Sequence, residues 1–174
     1  LGRVVVDHLQ RFDGASGRVG FSTKLASAST STSWYHPIVL LGEKERVSVV
    51  MSNPTDVVAD IGAGSGYFSF RMAKLVPEGK VHAVDISKEM LAIIRARMVK
   101  MKVDNVVPVF STVTDVKLPP NSVDVALIVD AYHEFSHPWE MARSIHRSLK
   151  PGGRLVLIEY RMEDPTVPIK RLHK

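Results

Sequence analysis

Between residues 56 and 160 the chain alternates between short apolar runs and longer segments whose apolar positions recur with helical spacing. The short runs have the length of strands, and one of them is apolar almost throughout, as in a strand covered on both faces. These runs are DVVADI, KVHAVDI, NVVPVF, VDVALIVDA and RLVLIEY. The alternation predicts an α/β fold in which helices cover both faces of a doubly wound, mostly parallel sheet.

The segments between the strands carry helix signals. GYFSFRMAKLV has helical spacing up to Pro77, and Ser87 is a typical N-cap for the next helix. The apolar face of that second helix consists of Met90, Leu91, Ile94 and Met98. The third helix, PWEMARSIHRSL, is predicted to bury Met141, Ala142, Ile145 and Leu149. A further short helix, EKERVSVVM, is predicted upstream of the first strand and ends at Asn53-Pro54.

Residues 1–42 differ from the rest of the chain. Residues 13–33 are poor in large apolar side chains and contain the low-complexity stretch SASTSTS, which predicts a flexible, Ser/Thr-rich leader over residues 1–42 ahead of a domain over residues 43–174. Scattered arginines among Ser and Thr resemble an organellar transit peptide, whereas Asp7 and Asp13 are atypical of one. The compartment, cytoplasmic or organellar, therefore stays open.

Composition narrows the class of protein. The 174 residues are 45% hydrophobic and 24% charged, and their apolar runs are far shorter than the roughly 20 residues of a membrane span. Without cysteine, disulfides and thiolate metal sites are excluded. The net charge of +5 is spread along the chain without an aromatic platform, so we expect no nucleic-acid partner.

A glycine turn joins the first predicted strand to its helix. DIGAGSG places Gly62, Gly64 and Gly66 there, where backbone without Cβ atoms allows a ligand to approach closely. The spacing is GxGxG, and Tyr67 occupies the position of the third glycine in the dinucleotide fingerprint, which disfavours a diphosphate. A tight structural turn without a ligand is the alternative interpretation.

Two carboxylates lie near this turn. Asp85 ends the second strand, where a carboxylate can accept hydrogen bonds from both hydroxyls of a ribose. Asp60 is predicted at the mouth of the turn, where it would repel phosphate and favour a cationic ligand. Together they indicate a ligand with a ribose and a positive charge but no phosphate, which is the chemistry of S-adenosylmethionine.

Four segments in order resemble the motifs of class I S-adenosylmethionine-dependent methyltransferases, with the ubiquinone/menaquinone-type (type 11) group as nearest relatives. They are VVADIGAGSGYFSF, VHAVDIS, TDVKLPPNSVDVALIVDAYHEF and LKPGGRLVLIEY. The resemblance implies that Asp60 and the turn residues Gly62, Ala63, Gly64 and Gly66 hold the methionine end of the cofactor. It places Asp85 at the ribose, with Ile86 beside it as a further cofactor contact.

The same resemblance assigns the remaining site. Thr114 and Asp115 fall where the family contacts adenine, although Val-Thr-Asp here replaces the usual Gly-Asp-Ala, and a solvated loop carboxylate is the alternative for Asp115. The loop after the fourth strand faces methyl donor and acceptor in the family. Asp130 is therefore a cofactor-binding candidate, Tyr132 and Glu134 are acceptor-side candidates, and His133 is the candidate proton acceptor in catalysis. The alternative for Tyr132 and His133 is a hydrogen bond that only holds the loop.

The stretch His133-Glu134-Phe135-Ser136-His137 also has the HExxH spelling of a zinc protease. Such a site needs both histidines on one helical face, but the residue before Pro138 is pushed out of the helical region. We therefore expect no metal here. The alternatives to a methyltransferase acting on a small molecule are a methyltransferase-like domain that binds cofactor or partner without turnover, and a nicotinamide-dependent oxidoreductase.

Members of this family continue past the fifth strand with a helix and two strands, which the tail MEDPTVPIKRLHK does not resemble. From this we expect the last two strands to be missing and RLVLIEY to form an open sheet edge. The expected consequences are marginal stability, self-association through that edge and weak catalysis.

Overall fold

A computed structural model describes residues 53–158 of the chain. The predictions for the leader 1–42, for the short helix 43–51 and for the tail after residue 158 concern residues outside that part. The described elements are β1 (Val57–Ile61), α1 (Tyr67–Ala73), β2 (Lys80–Asp85), α2 (Lys88–Met101), β3 (Val106–Phe110), β4 (Val123–Val129), a 3₁₀ turn (Tyr132–Glu134), α3 (Pro138–Ser148) and β5 (Leu149–Ile158).

The five strands form one parallel sheet in the order β3-β2-β1-β4-β5. The chain runs outward from β1 to β3 and then returns to pair β4 with the other side of β1, which is the doubly wound arrangement that the sequence predicted. None of the helices described over residues 53–158 is long and apolar enough to cross a membrane.

Each face of the sheet has its own apolar core. On one face, Val58 and Leu127 pack with Phe70 of α1 and Ile94 of α2. On the other, Ala59 and Ile128 pack with Ile145 of α3. Because successive strand residues point to opposite faces, β1 and β4 need apolar residues at almost every position, which explains their continuous apolar runs.

Helix α2 begins at the predicted N-cap and buries the central part of its apolar face. The Ser87 hydroxyl accepts a hydrogen bond from the Met90 N–H at 3.2 Å, so Ser87 is the N-cap. Leu91 and Ile94 are buried and Met98 packs at the edge of the core, but Met90 is 37% exposed. Met90 therefore lies at the exposed border of the apolar face, because only the central stripe of that face packs on the sheet.

Two other boundaries differ from the sequence prediction. Helix α1 ends at Ala73, before Pro77, so the last apolar residues of its pattern lie in the following turn, where Val76 is buried. The KPGG segment belongs to β5, which carries a register shift opposite Val123 and Val125. Gly152 has a φ of +82° in this segment, a conformation that glycine adopts without strain.

The sheet of residues 53–158 has β3 and β5 at its edges. Self-association through β5 stays a prediction.

Candidate functional site

The glycine turn lies at the carboxyl ends of β1 and β2 and is fixed by backbone hydrogen bonds to β2. The N–H groups of Gly62 and Ala63 both donate to the carbonyl of Val84, at 2.9 and 3.0 Å. Gly62, Gly64 and Gly66 have φ values of +74°, +53° and +84°. Side chains with a Cβ rarely adopt this left-handed region, which explains why the turn needs three glycines.

Open space lies beside the middle of this turn. A Cβ built on Gly64 would meet no atom of the described residues within 4 Å, whereas a Cβ on Gly62 would lie 2.7 Å from the Cβ of Ala131. Gly62 is therefore required for packing of the turn against the loop after β4. Gly64 borders a space that a ligand could enter.

Asp85 connects the turn to the start of α2. Its Oδ2 accepts a hydrogen bond from the N–H of Gly64 and its Oδ1 accepts one from the N–H of Ser87, each at 2.8 Å. The residue is 8% exposed. Each carboxylate oxygen has a second lone pair, so both can accept another hydrogen bond from a ligand hydroxyl.

Asp60 is buried under the turn, with 2% of its surface exposed. Its Oδ2 accepts a hydrogen bond from the Ser69 hydroxyl at 2.5 Å, and the Ser69 backbone also donates to it. Burial raises the pKa of Asp60 to about 6, partly offset by the two Ser69 hydrogen bonds. Asp60 thus ties β1 to α1, a structural role that the sequence did not indicate.

The loop after β4 adopts a strained conformation beside the glycine turn. Asp130 has a φ of +50°, and its N–H donates to the carbonyl of Ile158 at 2.8 Å. A residue other than glycine in this region costs energy and is often found at functional sites. The side chain of Asp130 is 46% exposed.

His133 lies in the 3₁₀ turn with a largely buried side chain, 16% exposed. Its Nδ1 is 3.8 Å from Oδ1 of Asp130, and its Nε2 is 4.0 Å from Oε1 of Glu134. The ring of Tyr132 packs edge-on against Phe135, with 5.6 Å between the ring centroids. The loop therefore brings Asp130, His133 and Glu134 together, and their roles in the site stay predictions.

The HExxH segment is not a continuous helix. His133 and Glu134 belong to the 3₁₀ turn, Phe135 is extended, and α3 begins at Pro138 with His137 as its N-cap. This confirms that proline keeps His137 out of a helix shared with His133.

Thr114 and Asp115 lie in the loop between β3 and β4. The Oδ1 of Asp115 accepts hydrogen bonds from the N–H of Lys117 and the hydroxyl of Ser144, both at 2.8 Å, and lies 3.4 Å from Nη2 of Arg147. These hydrogen bonds, that from the Lys117 N–H above all, lower the pKa of Asp115 to about 2. Asp115 thus anchors its loop to α3, and its contact with adenine stays a prediction.

Next to Asp85 the surface is apolar and open. Ile86 is 53% exposed and Phe110, paired with Asp85 in the register of β2 and β3, is 46% exposed. The Nζ of Lys88 lies 5.2 Å from the centroid of the Phe110 ring. Sequence reasoning missed Phe110, although its place at the end of β3 was the available signal.

The sequence profile of a family described as "Methyltransferase domain" matches residues 58–153, more than half of the 174 residues. The ubiquinone/menaquinone biosynthesis C-methyltransferase of Ectopseudomonas mendocina is 35% identical over 62% of this chain and 43% of its own length. An uncharacterized methyltransferase of Schizosaccharomyces pombe is 31% identical over 85% of this chain and 55% of its own length.

A solved structure agrees with these relatives. The S-adenosylmethionine-dependent methyltransferase of Aquifex aeolicus superposes with a TM-score of 0.61 and 29% identity, covering 64% of this chain and 60% of that one. The chain spans about half the length of the curated relatives that it matches.

Proposed function

This chain belongs to the methyltransferase domain family as a class I S-adenosylmethionine-dependent methyltransferase, and we propose that it transfers a methyl group to a small-molecule acceptor. The observation that carries the proposal is the position of Asp85. Its buried carboxylate contacts the glycine turn at the carboxyl ends of β1 and β2, beside the point where the strand order reverses. Parallel sheets of this kind bind their ligands there.

The residues of the site fit the cofactor. Gly64 borders open space, and Asp85 keeps acceptor capacity on both oxygens for the two hydroxyls of a ribose. Asp60 and Asp85 surround the turn with acidic groups. Acidic groups attract a sulfonium and an ammonium group and repel phosphate, which supports S-adenosylmethionine over a dinucleotide.

We assign the cofactor-binding residues from this fit and from the resemblance of the motifs. The turn residues Gly62, Ala63, Gly64 and Gly66 bind the methionine end, and Asp60 supports them from below. Asp85 binds the ribose. Ile86 forms the apolar wall next to it, where Phe110 joins it as a second exposed apolar side chain. Thr114 and Asp115 lie on the loop assigned to adenine, and Asp130 lies at the methyl-donor side.

The cofactor supplies an electrophilic methyl group on a sulfonium, and the protein must place the acceptor atom in line with it. Orientation of this kind lowers the barrier by up to about 7–11 kcal/mol. A general base contributes about 10²–10⁴-fold in rate, or roughly 3–5 kcal/mol, so orientation is the larger contribution. The loop after β4 fixes the geometry through the contact between Ala131 and Gly62. We assign to His133, which lies between Asp130 and Glu134, the role of taking the proton that the acceptor loses.

The names of the relatives suggest which acceptors to test first. Several are ubiquinone/menaquinone biosynthesis C-methyltransferases, and one is a demethylmenaquinone methyltransferase that is 27% identical over 94% of this chain. A phenolic ring of the hydroquinone type would lose a proton as the new carbon–methyl bond forms. That chemistry matches the proposed role of His133.

Calorimetry with S-adenosylmethionine and with NAD tests the cofactor, and radiolabelled S-adenosylmethionine with hydroquinones or a small-molecule extract tests turnover. We expect binding of S-adenosylmethionine alone and transfer of label to a small molecule. Binding without transfer would support a cofactor-binding domain that lacks activity. Binding of NAD alone would contradict the proposal.

A further inference from the structure

Arg97 of α2 reaches across to the glycine turn. Its Nη1 donates a hydrogen bond of 2.7 Å to the carbonyl of Ser65, which lies 32 residues earlier in the chain. Its guanidinium also lies over the ring of Phe70, with Cζ 4.7 Å from the ring centroid. Nothing in the site described above uses this side chain.

The Ser65 carbonyl is a sensitive point of the turn because Gly64 and Gly66 flank it, both with positive φ. Glycine has the widest choice of backbone conformations, so the turn needs external contacts to stay in one of them. Val84 and Asp85 of β2 fix the first half of the turn through its N–H groups. Arg97 fixes the second half through a carbonyl.

Phe70 links the same arginine to Gly66. A Cβ built on Gly66 would lie 2.9 Å from Cε2 of Phe70 and 3.1 Å from Cγ1 of Ile94, so both side chains pack directly against this glycine. The guanidinium of Arg97 covers the Phe70 ring and favours that ring position by a cation–π contact. Arg97 thus restrains the turn both at the Ser65 carbonyl and through Phe70.

We propose that Arg97 is a positioning residue that holds residues 64–66 in the conformation that receives the cofactor. The proposal rests on the proposed function only in assigning S-adenosylmethionine to this turn. Because Arg97 already holds the turn in this conformation in the free protein, the turn loses less conformational freedom when the ligand binds. Replacing Arg97 should therefore make residues 64–66 more mobile in the free protein and should weaken the binding of S-adenosylmethionine.

The test compares Arg97→Met, which keeps an apolar stem, with Arg95→Met, an exposed arginine two residues earlier on the same helix. Amide hydrogen exchange of Gly64 and Gly66 is measured in the free protein, since both N–H groups are hydrogen-bonded there. In Arg97→Met we expect the exchange rates of the Gly64 and Gly66 amides to rise about tenfold. We expect the dissociation constant for S-adenosylmethionine to rise by the same factor, which is the scale of one charge-assisted hydrogen bond.

Arg95→Met should change neither quantity, and Arg97→Lys, which retains a donor and a charge, should recover most of the lost affinity. Equal exchange and affinity in the two methionine variants would overturn the proposal. So would equal affinity of Arg97→Lys and Arg97→Met, because packing alone would then explain the effect. If the wild-type protein bound no S-adenosylmethionine, the proposed function would fail, and the exchange measurement would still decide the role of Arg97.

Discussion

The carboxylate of Asp60 and the hydroxyl of Ser69 form a 2.5 Å hydrogen bond inside the protein, directly below the glycine turn. Burial raises the pKa of Asp60 from 3.8 to about 6. The carboxyl group of Asp60 therefore stays protonated up to a higher pH in the folded protein than in the unfolded chain. The stabilisation by the neutral acid is complete below pH 3.8 and is lost as the pH rises through about 6.

Asp60→Asn should therefore become more stable relative to the wild type as the pH rises. We expect the difference in the free energy of unfolding to change by about 2 kcal/mol between pH 4.5 and pH 7.5 in favour of the variant. Urea unfolding at both pH values measures it. A difference that stays constant with pH would show that Asp60 ionises with an ordinary pKa.

Asp85→Asn should weaken binding of S-adenosylmethionine at least tenfold. The single side-chain oxygen of Asn can accept from only one of the N–H groups of Gly64 and Ser87. The variant also loses the charge-assisted hydrogen bonds to the ribose, worth about 1.5–3 kcal/mol each. Calorimetry on the folded variant measures the affinity. Asp104→Ala, an exposed carboxylate after α2, is the control and should bind as the wild type does. Unchanged affinity in Asp85→Asn would remove Asp85 from the ribose site.

His133→Gln should lower the rate of methyl transfer by about 10²–10⁴-fold and leave cofactor affinity within about twofold, because a general base acts on the chemical step. Single-turnover transfer to an identified acceptor and calorimetry separate the two effects. His146→Gln, an exposed histidine on α3, is the control. An unchanged transfer rate in His133→Gln would leave His133 with a packing role only.

Gly62→Ala should mainly affect stability, and Gly64→Ala should mainly affect cofactor binding. Both place a Cβ at positive φ, which costs about 1–2 kcal/mol, but only the Gly62 variant also collides with Ala131. We expect Gly62→Ala to lower stability further and Gly64→Ala to reduce cofactor binding more than stability. Urea unfolding and calorimetry on both variants give the comparison. Equal loss of stability in the two would contradict the close contact between Gly62 and Ala131.

Ser144→Ala should destabilise the protein by about 1–3 kcal/mol, because its hydroxyl donates to Asp115 and accepts from the Val116 N–H. Ser148→Ala is the matched control on the same helix, since that buried hydroxyl bonds to Ile145 of its own helix. We expect Ser148→Ala to lower the free energy of unfolding by less than Ser144→Ala does, as measured by urea unfolding. Equal costs would mean that the loop carrying Asp115 does not depend on α3.

The doubly wound parallel sheet, the Ser87 cap and the break before Pro138 could be predicted because each depends on local sequence signals or on the alternation of strands and helices. The hydrogen bonds that join Asp60 to Ser69, Asp115 to Ser144 and Arg97 to Ser65 could not be predicted. Each joins residues that meet only after the helices pack on the sheet, and the spacing between Ser144 and Asp115 carries no periodic signal.

The central position of β1 has a consequence for how the chain is made. β1 pairs with β2 and with β4, and its first N–H group, that of Val57, donates to Asp124, 67 residues later. At about 5–20 residues per second, a ribosome needs roughly 3–13 s to add that stretch. During each round of synthesis, one hydrogen-bonding edge of β1 stays without its neighbouring strand for that time, and an unpaired strand edge of this kind favours aggregation of the nascent chain.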